Sequence, residues 1–196
     1  MTLSRIATSD GPVLVESEAS PNGRYRIAWR DHDGVSRGGH RESGHGKYWL
    51  FEDDVEIQRG ELERPNCGHV ADDGTFTLED WLFTLELKSV FYAFDRMGNQ
   101  LLAAKLAANT YRSAISPDGS VAVCQTAGSN SHKFSNKIIV YQLRPSLELW
   151  RHTSPFGTIR FEFAENNSKL TIYPGPGHHE PYFESCSFRV PPRRDA

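Results

Sequence analysis

The chain has 196 residues, 38% of them hydrophobic and 11% aromatic, and a formal net charge of −3. That length can bury one sizeable core, and the slightly acidic balance argues against a general nucleic-acid binder, whose surface would be basic. No run of about 18 apolar residues offers a membrane span, and "MTLSRIATSDG" at the start lacks a signal-peptide apolar core, so a soluble cytoplasmic protein is expected.

A first short strand, "LSRIAT" (3–8), precedes a pattern that then recurs. "ASPNGRYRIAW" (19–29) reads as strand, tight turn, strand, because Asn22 and Gly23 tolerate the positive φ of such a turn and the flanks alternate. The same reading fits "VADDGTFTLED" (70–80), "AISPDGSVAVCQ" (114–125) and "FAENNSKLTIY" (163–173). The anchors Gly23, Gly74, Gly119 and Asn167 are 51, 45 and 48 residues apart. Each turn is followed by a second aromatic or β-branched run: "KYWLFE", "SVFYAFD", "KIIVYQL" and "YFESCSFRV". The first three of these lead into a third run: "VEIQRGEL", "QLLAAKLA" and "SLELWRH". Leu78, Trp81, Leu82 and Leu85 fall at helical spacing, but the repeat register predicts strands across 78–109.

A period in the forties with four short strands per unit points to propeller blades. "AISPDGSVAVCQ" with "KIIVYQL", and "ASPNGRYRIAW" with "KYWLFE", resemble WD-repeat and related β-propeller blades over nearly the whole chain, without the Trp-Asp dipeptide of typical members. The expected fold is all-β: a four-bladed β-propeller-like ring of four-stranded antiparallel blades in one domain. The blades cover about 9–62, 63–107, 108–152 and 153–190, and residues 3–8 complete the last blade and so close the ring. The resemblance implies binding of other proteins more often than catalysis, and fold alone does not decide between them.

In such blades the second-to-third strand connections emerge on one face. Here they are "RDHDGVSRGGHRESGHG" (30–46), a short turn near Glu86–Lys88, "TAGSNSHKFSN" (126–136) and "PGPGHHEP" (174–181). Six of the eight histidines lie in them: His32, His40, His45, His132, His178 and His179, with Arg30, Arg37, Arg41 and Lys133 beside them. Trp29 ends its strand at the first long loop, where its ring suits an interface anchor or, somewhat more readily, packs into the core. These side chains form the candidate partner-binding face, suited to an acidic protein segment.

No cofactor, bound metal, nucleic-acid partner or catalytic residue is expected. "GVSRG" (34–38) matches a nucleophile-elbow pattern around Ser36 but lies in a polar loop. "CGH" places Cys67 and His69 at alternate positions of one strand, which need not converge on a substrate. The three cysteines lack a metal-type spacing and are expected as reduced thiols. The function expected is a non-catalytic binding module, either a scaffold subunit or an inhibitor. The alternative is a metal-dependent hydrolase or lyase at the propeller axis, where the innermost strands offer Glu16, Glu18, His69, Arg112 and Glu162, with Arg160 to neutralise them.

Overall fold

A computed structural model describes residues 2–9, 11–32, 42–155, 157–164, 167, 169–175 and 184–187. Every regular element among them is a strand, and all pairings are antiparallel. The first sheet holds β1 (Thr2–Thr8), β2 (Gly11–Ala19), β3 (Tyr25–Arg30), β4 (Gly46–Glu52) and β5 (Val55–Leu62). The second holds β6 (Pro65–Val70), β7 (Phe76–Asp80), β8 (Ser89–Phe94) and β9 (Gln100–Leu106). β10 (Thr110–Ile115), β11 (Val121–Thr126), β12 (Lys137–Leu143) and β13 (Ser146–Thr153) make the third. β14 (Thr158–Ala164), β15 (Lys169–Pro174) and β16 (Glu184–Ser187) make the fourth. Residues 78–109 therefore carry strands and no helix, as the repeat register predicts.

The recurring turn has one chemical recipe. Gly23, Gly74, Gly119 and Asn167 all adopt positive φ, at 76°, 82°, 69° and 64°. In the first three turns the residue before the glycine, Asn22, Asp73 or Asp118, accepts from the backbone N–H just beyond it, that of Arg24, Thr75 or Ser120, at 2.8 to 3.0 Å. The glycine N–H donates back to the carbonyl of Ser20, Ala71 or Ser116 at 2.9 to 3.0 Å. A short Asn or Asp side chain thus satisfies the backbone that the reversal strips from the ladder.

Alternation then sorts the side chains into layers between sheets. Ile27, Trp29 and Leu50 of the first sheet pack against Val70, Phe76 and Leu78 of the second. Phe91, Ala93 and Leu106 of the second meet Cys124, Ile139 and Tyr141 of the third. Val121, Val123 and Ile138 of the third meet Phe161, Leu170 and Ile172 of the fourth. Ile27, Leu50, Phe76 and Leu78 are fully buried, and each such side chain contributes about 1.5–3 kcal/mol over exposure.

The closing strand is a correction. β1 does not complete the last blade. It pairs residue for residue with β2, from Thr8 opposite Gly11 to Thr2 opposite Ser17. A two-residue link costs far less closure entropy than a reach to the far end of the chain. The hairpin folds over the outer side of the first sheet. Ile6, Val13 and Val15 pack on Ala28, Trp49 and Phe51. At its tip the Ser9 N–H and hydroxyl both donate to the Glu56 carboxylate at 2.8 Å, and Arg59 Nη1 donates to the Ser9 hydroxyl at 2.7 Å. Leu3 and Leu14, on the hairpin's other side, are 66% and 54% exposed. Among the described residues the fourth sheet has three strands, and no strand pairing or apolar cluster joins it to the first. The four sheets form a propeller-like succession in which closure is not seen.

Both ends of the succession are tied. At the tight-turn end the Asn22 N–H donates to Asp72 Oδ1 at 2.8 Å, and the Asp72 N–H to the Pro117 carbonyl at 2.7 Å. Arg144 Nη2 reaches Thr75 Oγ1 at 3.0 Å, and Asn167 Nδ2 reaches Ser120 Oγ at 3.3 Å. At the other end Arg64 lies 3.8 Å from the Asp31 carboxylate, both side chains buried, and its backbone N–H donates to Asp80 Oδ1 at 2.7 Å. Trp81 Nε1 donates to Thr110 Oγ1 at 3.1 Å. These contacts fix Asp31, where the first long loop begins, and Trp81, where the second sheet's connection begins.

Candidate functional site

Among the described residues the strands run so that Asp31, Thr126 and Gly175, where the long connections begin, lie at the end opposite the tight turns. Arg37, His40, Arg41, His178 and His179, together with Ser36, lie outside the described residues. Arg30 is half-buried and turns back on its own loop, its Nη2 donating to the His32 carbonyl at 3.1 Å. His32 and His45 are exposed, and the His45 ring meets the edge of Phe83 at 5.0 Å between centroids. His132 and Lys133 are exposed on the third sheet's loop, where the Lys133 ammonium sits 5.3 Å above the Phe134 ring. Among the described residues no contact joins the His32–His45 group to the His132–Lys133 group.

Trp29 does not belong to this face. It is 1% exposed, packs between the first two sheets, and its indole N–H donates to the Asn66 carbonyl at 3.1 Å. A ring at the end of a strand is drawn inward when the next sheet offers both an apolar wall and a carbonyl.

A second place draws on all four sheets. The innermost strands β2, β6, β10 and β14 border a cavity of about 370 Å³ lined by Glu18, His69, Arg112, Ser113, Ile159 and Arg160 among others. The sequence foresees Glu18, His69, Arg112 and Arg160 here. Glu16 instead borders a separate crevice with Leu14 and Trp29. Glu162 is exposed, bonded to Tyr173 and 3.6 Å from Arg160.

The chemistry of this cavity starts at a contact that alternate-position reasoning dismissed. Cys67 Sγ lies 3.6 Å from His69 Nε2, and His69 Nδ1 lies 2.6 Å from Glu18 Oε1. Thiol, imidazole and carboxylate therefore stand in a row, with Cys67 buried behind His69. Burial alone would lower the His69 pKa, but the Cys67 sulfur and the Glu18 carboxylate outweigh it and raise it well above its ordinary value. Burial likewise raises the Glu18 carboxyl, and the hydrogen bond and charge of His69 more than offset that, leaving it below its ordinary value. The ring is thus held between the Cys67 sulfur and the Glu18 carboxylate, which together favour its protonated form. The ring's two nitrogens point opposite ways, so Cys67 and Glu18 cannot ligate one ion through it. Among the described residues no three His, Cys, Asp or Glu side chains are grouped to hold a metal. The sequence signal for the row was "CGH" with Glu18 on the neighbouring inner strand. What it lacked was the packing of the first sheet on the second, which brings the two strands together.

No family model matches the chain, and no curated protein sequence does. Solved structures do resemble it. A chain in the crystal structure of the mitotic checkpoint complex is similar over 83% of this chain and 44% of its own length, with a TM-score of 0.53 and 10% identity. A chain of the Kuenenia stuttgartiensis hydrazine synthase is similar over 80% of this chain and 48% of its own, with a TM-score of 0.49 and 13% identity. The chain thus spans about half the length of each. The first likeness supports a β-propeller-like fold. Among the described residues no helix is long and apolar enough to cross a membrane.

Proposed function

We propose that this chain is a non-catalytic protein-binding module, serving as a scaffold subunit or an inhibitor, and that it engages an acidic protein surface through its long-loop end. One observation carries the reading. The exposed histidines and lysine of the described loops, His32, His45, His132 and Lys133, all stand at the end where long connections leave the strands, while the opposite end is closed by tight turns bonded to one another. Loops anchored at both ends by packed strands lose less conformational freedom on binding than free segments.

Photo-crosslinking tests the proposal. A photoreactive amino acid placed singly at His32, His45, His132 and Lys133, with Asp95 at the turn end as control, is irradiated in extract of the native host. Partner adducts from the loop positions that fade with added salt, together with none from Asp95, are expected. Adducts from Asp95 alone would move the interface to the other end.

A further inference from the structure

We infer that the central cavity is a binding site for a small organic anion, one with an apolar body and a carboxylate or phosphate head, and that Arg112 is the group that holds the head. This goes beyond the protein-binding reading and does not depend on it, because the cavity is built from the inner strands and a tight turn, and not from the long loops.

The charges lining the cavity pair off one by one, except Arg112. Glu18 is held by His69 at 2.6 Å. Arg160 stacks on the Tyr173 ring at 4.0 Å and lies 3.6 Å from Glu162. Arg112 has no carboxylate within salt-bridge distance among the described residues, and its Nε is buried without a hydrogen-bond partner there. Its one described contact of this kind is the ring of its neighbour Tyr111, at 5.9 Å. A buried, unpaired guanidinium nitrogen is costly, and an oxyanion that turns the half-buried Arg112 fork into the cavity removes that cost. The planar guanidinium fork matches a carboxylate or phosphate in a bidentate pairing. Both nitrogens of His69 are engaged by Cys67 and Glu18, so it forms part of the cavity wall without donating to the ligand. Val70, Ala114, Ile115, Ile159 and Phe161 supply apolar wall for the body of the ligand. A volume of about 370 Å³ sits at the small end of ordinary ligand pockets.

Isothermal titration of the full chain with benzoate, phenyl phosphate and neutral benzyl alcohol tests this. One of the two anions is expected to bind with one site per chain, and which one it is identifies the head group; benzyl alcohol should give no saturable heat. Arg112→Gln should weaken that anion by about ten- to a hundredfold, the scale of a lost hydrogen bond between charges. Lys105→Gln, on an exposed outer strand, should leave it unchanged. Should Arg112→Gln fail to fold, the Arg112 Nε–Hε resonance of the wild-type chain serves instead and should move on adding the anion. The proposal is overturned if neither anion binds, if benzyl alcohol binds as well as they do, if Arg112→Gln binds unchanged, or if that resonance stays still.

Discussion

Glu18→Gln isolates the contact between the first two sheets at the cavity. Glutamine keeps the length of the side chain and its acceptor oxygen, but removes the charge facing His69. A hydrogen bond between charged groups contributes about 1.5–3 kcal/mol. The His69 and Glu18 side chains are 16% and 32% exposed, so solvent screens the pair in part. A loss of about 1.5 kcal/mol follows as an order of magnitude. The pH dependence has a definite sign. Glu18 titrates below its ordinary value when folded, so its contribution is present above the ordinary carboxylate pKa of about 4.3 and is lost as pH falls through the folded value. His69 titrates well above its ordinary value, so its contribution is complete below about 6.5 and is lost as pH rises through the folded value. Urea unfolding of wild type and variant should therefore show the widest gap at about pH 5.5, narrowing as pH rises through the folded His69 value. Cys67 stays beside the imidazole in both proteins, so the gap reports Glu18. A gap that is absent at about pH 5.5, or that widens as pH rises, would refute the ion pair.

Trp29→Ala should lower stability by about 3–5 kcal/mol, with Trp29→Phe much milder, because the ring fills the layer between two sheets; an unchanged melting temperature for the alanine variant would return Trp29 to the surface. Gly119→Ala should cost about 1–2 kcal/mol, because φ is +69° and a Cβ would collide with the Asp73 carboxylate. Gly128→Ala, whose Cβ would approach nothing closer than 3.7 Å, is its control, and equal melting of the two would count against the turn geometry. Deleting residues 2–9 removes Ile6 from the cluster over Trp49 and Phe51 and should cost about 2–4 kcal/mol. Tryptophan emission should shift to the red as Trp49 meets water, and unchanged emission and stability would show that the hairpin covers nothing.

The strand repeat was legible because its signal is local. Asn22, Asp73 and Asp118, each followed by glycine, bond to their own turns, so three of the four reversals announce themselves within five residues of chain. The fate of β1 was not legible, because its spacing ahead of Gly23 fits a missing blade strand as well as it fits a hairpin. Only the packing of Ile6, Val13 and Val15 on Trp49 decides between them. Trp29 was open between surface and core for a related reason. A strand's last residue can face solvent or the next sheet, and the Asn66 carbonyl that fixes its indole lies 37 residues away in sequence. The row from Cys67 through His69 to Glu18 spans two sheets, and no pattern within either stretch carries the distance between them.

The bonds that tie the turn end have a bearing on how the chain comes apart. Asn22 to Asp72 joins the first sheet to the second, Asp72 to Pro117 the second to the third, and Asn167 to Ser120 the third to the fourth. Each link is between neighbours, and among the described residues none runs from fourth back to first. Such an array unravels from its ends, since a terminal unit is held on one side and an inner unit on two. The hairpin folded over Trp49 gives the first sheet a partial second neighbour, and the described fourth sheet has no counterpart. Amide hydrogen exchange should then be slowest in β7, β8, β11 and β12, intermediate in β3 and β4, and fastest in β14 and β15, a gradient that follows position in the array and not strand composition.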